Sequence, residues 1–375
     1  MTGTPMQTST NPWAWQPQQP AYARLAASVI RLEGSGSRRF LHGQTSAAIE
    51  LAPPGQWISS CCISPTGRMR ALAEVLVDQD GAWLVISGGD GTQVHQSLDR
   101  VLFPADRVRL GPPQRAWWLL PVARAEHMQD ARQRGEPAAP CPTQSGSSGS
   151  WQAWGDGRGW QLNSGDVRVI APDETGDSHS QSLVLLADGT PPSAEQLPTA
   201  WAGLQPLSPT EQERWRIQQG LPAVPGELSD DHNPFELGLA PRVSLNKGCY
   251  VGQETLAKLA TYDGVKQQLR RWHWRQTASE QAPETGQELR SPASAARDGE
   301  GQPNRRLGRI SSLLELPDGD RIGLALVRRQ GLEQGQLQAG CWSRSDVAPA
   351  TLTLSTPAQF VAPPVGAGGS GGSGG

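Results

Sequence analysis

The sequence predicts an α+β region followed by a small antiparallel β-barrel. Over roughly the first 260 residues, segments of helical periodicity alternate with short apolar runs that are typical of strands. From Val265 onward the pattern changes to short strands separated by turns rich in Gly, Pro and Asp. The chain has 375 residues, which is enough for two or three domains.

The N-terminal elements follow from apolar periodicity and turn residues. Phe40, Leu41 and Ala48 share one side of the first predicted helix, and Pro65 and Gly81 fall in turns between strands. Helices are predicted at 37–49 and 92–102, and strands at 27–32, 57–63, 69–77, 82–86, 108–110, 116–122 and 183–186.

A third helix has a strong start and a strong end. Ser208 can cap it, Pro209 fits its first turn, and Glu211 completes a capping box. Gly220, followed closely by Pro222, ends it. The barrel strands are predicted at 269–274, 308–314, 322–327 and 350–354.

These patterns divide the chain into four parts. They are a disordered lead-in at 1–22, an α+β region of two lobes at 23–262 with a loop at 135–150, the barrel at 263–362, and a flexible Gly/Ser tail at 363–375.

Composition excludes several classes of protein. No run of 18 apolar residues is present, so we expect no membrane-spanning segment, and the N-terminus lacks the apolar core of a secretory signal. The net charge of −3 gives no basis for a broad nucleic-acid-binding face. We therefore expect a protein of the cytoplasm, or of an organelle lumen of bacterial origin.

The cysteines indicate free thiols in a reducing compartment. Cys61, Cys62, Cys141, Cys249 and Cys341 are odd in number and widely spaced, with no CxxC pair. The sequence contains no Cys/His cluster with zinc spacing, so no metal site is predicted. The adjacent pair at 61–62 lies in a predicted strand and is expected to pack in the core.

The segment 245–255, LNKGCYVGQET, carries the strongest candidate chemistry. Cys249 precedes a predicted helix start, and Lys247 lies two residues before Cys249. The helix dipole and the lysine charge both favour a thiolate. The chain has only three lysines, at 247, 258 and 266, all within 20 residues. The alternative is a buried structural cysteine in a tight turn.

The run Lys247-Gly-Cys-Tyr-Val-Gly-Gln-Glu254 matches the K-G-C-Y-x-G-Q-E signature of the YgfZ group of folate-binding proteins. The chain thus resembles a YgfZ/GcvT-like family that includes the glycine cleavage T-protein, an aminomethyltransferase, and a mitochondrial iron–sulfur assembly factor. Four further segments resemble family elements in the expected order: FLHGQT at 40–45, PTGR at 65–68, RIQQGLP at 216–222 and NPFELGL at 233–239.

The resemblance implies intertwined α/β lobes and a C-terminal antiparallel barrel around a channel for tetrahydrofolate. A pterin needs a carboxylate or amide at its edge, a wall to stack on, and a cation for its anionic tail. Glu236 is the candidate for the pterin edge, and Arg216 the candidate for a carboxylate clamp or a helix-surface ion pair.

Trp215 and Tyr250 are candidates for stacking, although a tryptophan in a helix more often packs in the core. Gln253 is included among the ligand-binding candidates, with capping of the motif turn as its alternative role. Cys249 and Lys247 are the candidates for chemistry.

One departure from the family bears on activity. The aminomethyltransferases carry an acidic pair shortly after the strand turn, whereas this chain has Ala71 and Leu72 there. Alkyl groups cannot replace a carboxylate in charge stabilisation or proton transfer. The sequence therefore leaves open whether the protein is an enzyme.

Three hypotheses remain. The first is a tetrahydrofolate-binding accessory protein that supports assembly or repair of iron–sulfur proteins through Cys249, with an indirect link to tRNA modification. The second is a folate-dependent one-carbon transferase. The third is a non-enzymatic folate-binding scaffold. The predicted partners are folate and iron–sulfur proteins or their assembly machinery, with no direct nucleic-acid contact.

Overall fold

A computed structural model describes residues 11–122, 148–154, 159–164, 181–186, 197, 201, 203–292, 305–340, 348–363 and 365. Within these ranges the α-helices are α1 (Ser37–Gln44), α2 (Gly91–Asp99), α3 (Pro209–Gln219), α4 (Gln253–Thr261) and α5 (Arg329–Leu332).

Ten strands of the described chain form one large sheet. They are β1 (Ala21–Glu33), β2 (Gln56–Ile63), β3 (Met69–Val77), β4 (Gly81–Gly89), β5 (Arg109–Leu110), β6 (Gln114–Val122), β7 (Ser148–Trp154), β8 (Gly159–Ser164), β9 (Gln181–Leu186) and β10 (Gln205–Pro206). Their order is β10-β1-β4-β3-β2-β7-β8-β9-β6, and β5 pairs with β1. Because β6 also pairs with β1, the strands from β1 round to β6 close on themselves and leave few unpaired edges.

Six further strands form the predicted C-terminal barrel. They are β11 (Gln267–Trp274), β12 (Glu288–Arg290), β13 (Arg306–Glu315), β14 (Arg321–Arg328), β15 (Gln336–Ala339) and β16 (Ala350–Ser355), closed in the order β11-β14-β13-β12-β15-β16. The buried indole of Trp272 fills its interior and donates to Leu324 O at 3.0 Å. The mixed helix-and-strand fold with a C-terminal antiparallel barrel is therefore confirmed.

The third helix has the predicted ends. The Ser208 side chain accepts from the Glu211 N–H, and the Glu211 side chain accepts from the Ser208 N–H, so the capping box is complete. Gly220 has a φ of 74°, the left-handed conformation that ends a helix without a Cβ clash.

A shared apolar cluster joins the large sheet to the barrel. Met69 and Leu72 of β3 pack there with Phe235 from the loop after α3 and with Leu269 of β11. Leu256 of α4 belongs to the same cluster. The loop after α3 and the start of α4 are thereby held between sheet and barrel, which positions the candidate functional segments.

A short N-terminal segment also bridges the two parts. Residues Pro12–Ala14 form a 3-10 helix, and the guanidinium of Arg271 in β11 lies 4.5 Å from the Trp13 ring centre. Arg214 of α3 lies 5.4 Å from the Trp15 ring centre. The prediction of a disordered lead-in at 1–22 is wrong for residues 11–22, because tryptophans anchor this segment and β1 begins at Ala21.

Other differences concern weak local signals. The helix predicted at 37–49 ends at Gln44, because Thr45 becomes extended and forms a bridge with Cys62. Strands β7, β8, β10, β12 and β15 and the single-turn α5 were not predicted. All are short, and several pair with strands far away in the sequence, as β7 does with β2 and β12 with β15. Residues 148–150 of the predicted loop at 135–150 belong to β7; residues 135–147 and 366–375 lie outside the described ranges.

Candidate functional site

The cysteine-bearing turn is fixed by its lysine. Lys247 is buried, and its Nζ donates hydrogen bonds to the carbonyl oxygens of His42, Thr45 and Ala47, the last two at 2.6 and 2.7 Å. The Tyr250 ring centre lies 4.2 Å from the same nitrogen. All three N–H groups of the ammonium thus bind backbone, and the lysine ties the turn to the loop after α1.

Cys249 itself is exposed at the surface of the turn. Gly252, three residues later, has a φ of 78°, and a Cβ there would lie 2.7 Å from Ser64 O, so only glycine fits. Helix α4 begins at the next residue, and the Gln253 side chain donates to Lys247 O at 3.2 Å. Gln253 therefore braces the turn that presents the thiol.

Tyr250 packs beneath this turn. Its side chain is buried in the cluster shared by sheet and barrel, and its hydroxyl makes no hydrogen bond to the described residues. Burial raises the pKa of Tyr250 to about 12. The ring supports Lys247 and the hydroxyl stays protonated at neutral pH.

Glu236 is a buried carboxylate in the loop after α3. Its Oε2 accepts from the Asn233 N–H at 3.0 Å, and its side chain also hydrogen-bonds Gln267 at the start of β11. The guanidinium of Arg68 lies 3.8 Å from Oε2. Burial raises the pKa of Glu236, while the Asn233 N–H, His232, Arg68 and Gln267 act in the opposite direction.

A cavity of about 770 Å³ adjoins Glu236, between the loop after α3 and the barrel. Gln267 and His232, which both act on the Glu236 carboxylate, are among its lining residues. Apolar lining comes from Val224, Pro225, Ile310 and Leu326. Four arginines line it as well, Arg216, Arg306, Arg309 and Arg328, against the acidic Glu213 and Asp231. The cavity is therefore cationic within an acidic chain.

Arg216 lines this cavity but is fully engaged by the protein. It binds Glu213 through two hydrogen bonds of 2.7 Å, and it also donates to Leu221 O and Ser312 Oγ. The carboxylate that it clamps is thus its helix neighbour. Trp215, the next residue back, is buried in the core of the large sheet and is not among the lining residues.

The predicted site residues fall into separate groups. Lys247, Tyr250 and Gln253 surround the turn of Cys249, and none of these four lines the cavity. The cavity is lined by Arg216, with Glu236 directly behind its lining residues.

Three buried charged residues, at two places in the fold, were not predicted from the sequence. Glu74 of β3 and Arg242 form a fully buried ion pair of 2.9 Å, and Ser59 donates to Glu74 at 2.6 Å. Glu227, also fully buried, accepts from Ser311 and Ser312 of β13 at 2.6 Å. Charged residues at such spacing carry no sequence signal of burial, because their partners come from distant strands.

The fold is shared with a solved enzyme structure. The glycine cleavage system aminomethyltransferase T from Bartonella henselae matches with a TM-score of 0.61 and 15% identity, over 92% of this chain and 88% of that chain. At this identity the likeness concerns the fold.

Sequence relatives carry two kinds of name. A chloroplastic protein of Arabidopsis thaliana, named a putative transferase, is 31% identical over 253 residues, 64% of this chain and 52% of its own length. The tRNA-modifying protein YgfZ of Aliivibrio fischeri strain MJ11 is 31% identical over 140 residues, 36% of this chain and 41% of its own length. The same protein of strain ES114 is 30% identical over 135 residues.

The chain is YgfZ/GcvT-like. It spans about half the length, or less, of these curated relatives, with 52%, 41% and 39% of their residues matched. No family model matches the chain.

The YgfZ/GcvT-like chain has no acids at the two positions where its resemblance to the aminomethyltransferases leads us to expect them. Ala71 and Leu72 are buried in β3, in the two apolar clusters on either side of that strand. The carboxylate that β3 does carry, Glu74, is held by Arg242 and Ser59. This strand offers no free carboxylate for proton transfer.

Two further properties concern the described part of this YgfZ/GcvT-like chain. None of the helices there has the length and apolar character needed to span a bilayer. No group of three or more His, Cys, Asp and Glu side chains in those residues is placed to hold a metal ion.

Proposed function

We propose that this protein binds a tetrahydrofolate in the cavity beside Glu236 and acts as an accessory protein in iron–sulfur cluster assembly or repair. The observation that carries the proposal is the buried Glu236 carboxylate, which adjoins a cavity of about 770 Å³. That volume lies in the range of small-molecule sites, roughly 300–1,000 Å³.

The residues around the cavity suit a folate. The Glu236 carboxylate and the Gln267 amide are acceptors for the donor edge of a pterin, and the apolar wall at Val224 and Pro225 gives it a face to lie on. Arg306, Arg309 and Arg328 supply cations for an anionic glutamate tail. When bound, a tetrahydrofolate supplies a carrier for one-carbon units.

Cys249 is proposed to act on a partner protein, because its thiol is exposed on a turn that Lys247 fixes. A single thiolate cannot hold an iron–sulfur cluster, which normally takes about four ligands. We therefore assign Cys249 the role of one ligand to a cluster shared with a client. The name of the YgfZ relatives supports an indirect link to tRNA modification through such clients.

We place the protein in the cytoplasm or in an organelle lumen of bacterial origin. The chloroplastic Arabidopsis relative supports the organelle alternative. The net charge of −3 supports a protein partner over direct contact with nucleic acid.

A ligand titration tests the folate site. Tetrahydrofolate is added to the purified protein while tryptophan fluorescence is followed, and a saturable change is expected. Glu236→Gln should weaken binding at least about tenfold, because one carboxylate acceptor is lost. Glu254→Gln is the control, since Glu254 is an exposed carboxylate paired with Lys258. Absence of saturable binding by the unaltered protein would sink the proposal.

The thiol is tested by complementation. Cys249→Ser should bind tetrahydrofolate normally but fail to restore iron–sulfur enzyme activity in a strain that lacks the corresponding protein. Full restoration by Cys249→Ser would instead support a scaffold with a structural cysteine.

The second candidate is a folate-dependent one-carbon transferase. The aminomethyltransferase fold and the name of the Arabidopsis relative favour it, whereas the alkyl side chains of Ala71 and Leu72 oppose it. A methylene-transfer assay with purified protein distinguishes the two, and turnover in that assay would favour the transferase.

A further inference from the structure

The turn between β2 and β3 is fixed on the loop that carries Glu236. Inside the turn, Ser64 N–H donates to Arg68 O at 2.8 Å, and Arg68 N–H donates to Ser64 Oγ at 3.1 Å. Across to the loop, Met69 N–H donates to His232 O at 2.8 Å. The backbone of Arg68 is therefore held in a defined position beside the candidate ligand site.

The Arg68 side chain is anchored as well. Its Nη1 donates to the backbone carbonyl oxygen of Asp231 at 2.7 Å and lies 3.8 Å from Glu236 Oε2. The guanidinium is half-exposed, whereas the Glu236 carboxylate is buried. One hydrogen bond to the backbone thus holds a positive charge 3.8 Å from Glu236 Oε2, beyond hydrogen-bond distance of the carboxylate.

The charged and polar groups that face Glu236 come from three elements. The β2–β3 turn contributes Arg68, the loop after α3 contributes His232 and the Asn233 N–H, and β11 contributes Gln267. Asp231, on the same loop, lines the cavity with an exposed side chain. Arg68 supplies the permanent cation of this set.

We propose that Arg68 is a positioning residue of the ligand site, whose guanidinium holds the Glu236 carboxylate as an ionised acceptor for the donor edge of the ligand. The inference rests on the proposed function, because it concerns the same site. An ionised carboxylate can accept from both N–H donors of a pterin edge. A protonated carboxyl group carries a donor at one oxygen, which repels one of the two pterin donors. Arg68 thereby favours ligands that present paired donors.

The pH dependence of binding tests this role. Burial raises the pKa of Glu236, and removal of the Arg68 charge takes away one of the groups that oppose the rise. Tetrahydrofolate affinity is measured from pH 5.5 to 8.5 for the unaltered protein and for Arg68→Gln, Arg68→Lys, Arg70→Gln and Glu236→Gln. In the unaltered protein the affinity should fall below the midpoint of Glu236 titration.

Arg68→Gln should move that midpoint to higher pH and weaken binding about five- to tenfold at pH 6.5, with little change at pH 8.5. Arg68→Lys should restore most of the profile, since it keeps the charge. Arg70→Gln is the matched control, because Arg70 is an exposed arginine two residues further along, at the start of β3, and pairs with Asp230 at 3.1 Å. Glu236→Gln should show a flat profile.

Each contrary outcome has one meaning. If Arg68→Gln binds with the same midpoint as Arg70→Gln, the inference is overturned while the folate site stands. Equal weakening by Arg68→Gln at every pH assigns Arg68 a structural role and also overturns it. If the unaltered protein does not bind, the proposed function and the inference fall together. Should Arg68→Gln fail to fold, Arg68→Lys with an unshifted profile still supports the role, and a shifted one opposes it.

Discussion

Lys247 Nζ lies 4.2 Å from the centre of the Tyr250 ring while it donates to three backbone carbonyl oxygens of residues 42–47. Burial lowers the pKa of Lys247 to about 7, whereas three acceptors and the aromatic face favour its charged form. The motif lysine is thus a structural cation that fixes the turn of Cys249. An arginine would not fit the same three converging acceptors, since its donors lie in one plane.

Lys247→Met should lower the free energy of unfolding by about 3 kcal/mol. The substitution leaves the buried carbonyl oxygens of Thr45 and Ala47, and that of His42, without their shared donor. Urea unfolding followed by circular dichroism measures the change. Lys258→Met is the control, because Lys258 is an exposed lysine paired with Glu254, and its unfolding midpoint should stay within error of the unaltered protein. Equal unfolding midpoints for Lys247→Met and Lys258→Met would contradict the role of Lys247 in fixing the turn.

Stability should fall as the pH rises from about 4.5 to about 7, with Glu74 as one source. Burial raises the pKa of Glu74 from 4.5 to about 7, so in this interval the folded state retains a proton that the unfolded chain has lost. The stabilising contribution is complete below the unfolded pKa and is lost as the pH passes the folded one. Urea unfolding at pH 5 and pH 8 measures the slope.

Glu74→Gln should reduce that slope, since the titrating group is gone. Glu254→Gln alters an exposed carboxylate and serves as the control. An unchanged slope in Glu74→Gln would place the pH dependence elsewhere in the molecule.

Arg242→Met should destabilise the fold by about 3–5 kcal/mol, because it leaves the Glu74 carboxylate buried without its cation. The double variant Arg242→Met with Glu74→Leu should recover much of this loss, since both charges are then removed. Thermal and urea unfolding of the four proteins in this cycle give the coupling between the two sites. Additive effects of the two substitutions would contradict a direct pair.

Iodoacetamide at pH 8 should alkylate Cys249 in the native protein and spare Cys61 and Cys62. Cys249 is exposed, whereas the other two are buried in β2, where burial raises the pKa of each thiol to about 12. Peptide mapping by mass spectrometry identifies the modified residue. After unfolding in guanidinium, all three should react. Alkylation of Cys61 at the rate of Cys249 would show that β2 opens in the native state.

Trp13→Ala should lower the free energy of unfolding by about 1–2 kcal/mol. Trp13 packs in the cluster between sheet and barrel, and the Arg271 guanidinium rests on its ring at 4.5 Å. Phe103→Ala removes a largely exposed aromatic side chain and is the control. If the two substitutions have equal effects on urea unfolding, the N-terminal segment is not a bridge.

The sequence correctly predicted those elements whose signals lie entirely in neighbouring residues. Strand β3 spans the predicted 69–77, and α3 has the predicted capping box and C-terminal glycine, because both depend on neighbouring residues. Strands that depend on pairing with distant parts of the chain were not predictable in this way. Strand β12, for example, is three residues long and exists through its pairing with β13 and β15.

The candidate site was predictable in part. The motif identified Cys249, and the structure places it in an exposed turn ahead of α4, as the glycines of the segment indicate. The charge of Lys247 was predicted to act on the Cys249 thiol. The ammonium instead donates to carbonyl oxygens some 200 residues earlier in the chain. Backbone acceptors have no sequence signature, so no pattern could have indicated them.

Composition, periodicity and one eight-residue motif determined the fold class, the C-terminal barrel and the candidate cysteine, because each of these depends on residues close together in the chain. Only the tertiary structure decided that Arg216 lines a cavity, that Glu236 lies directly behind residues of the same lining, and that Cys249 stands apart from it. It also decided which charges are buried, as with Glu74 and Arg242. The reason is that burial and pairing arise when distant strands and loops pack, and that packing sets the environment of each side chain.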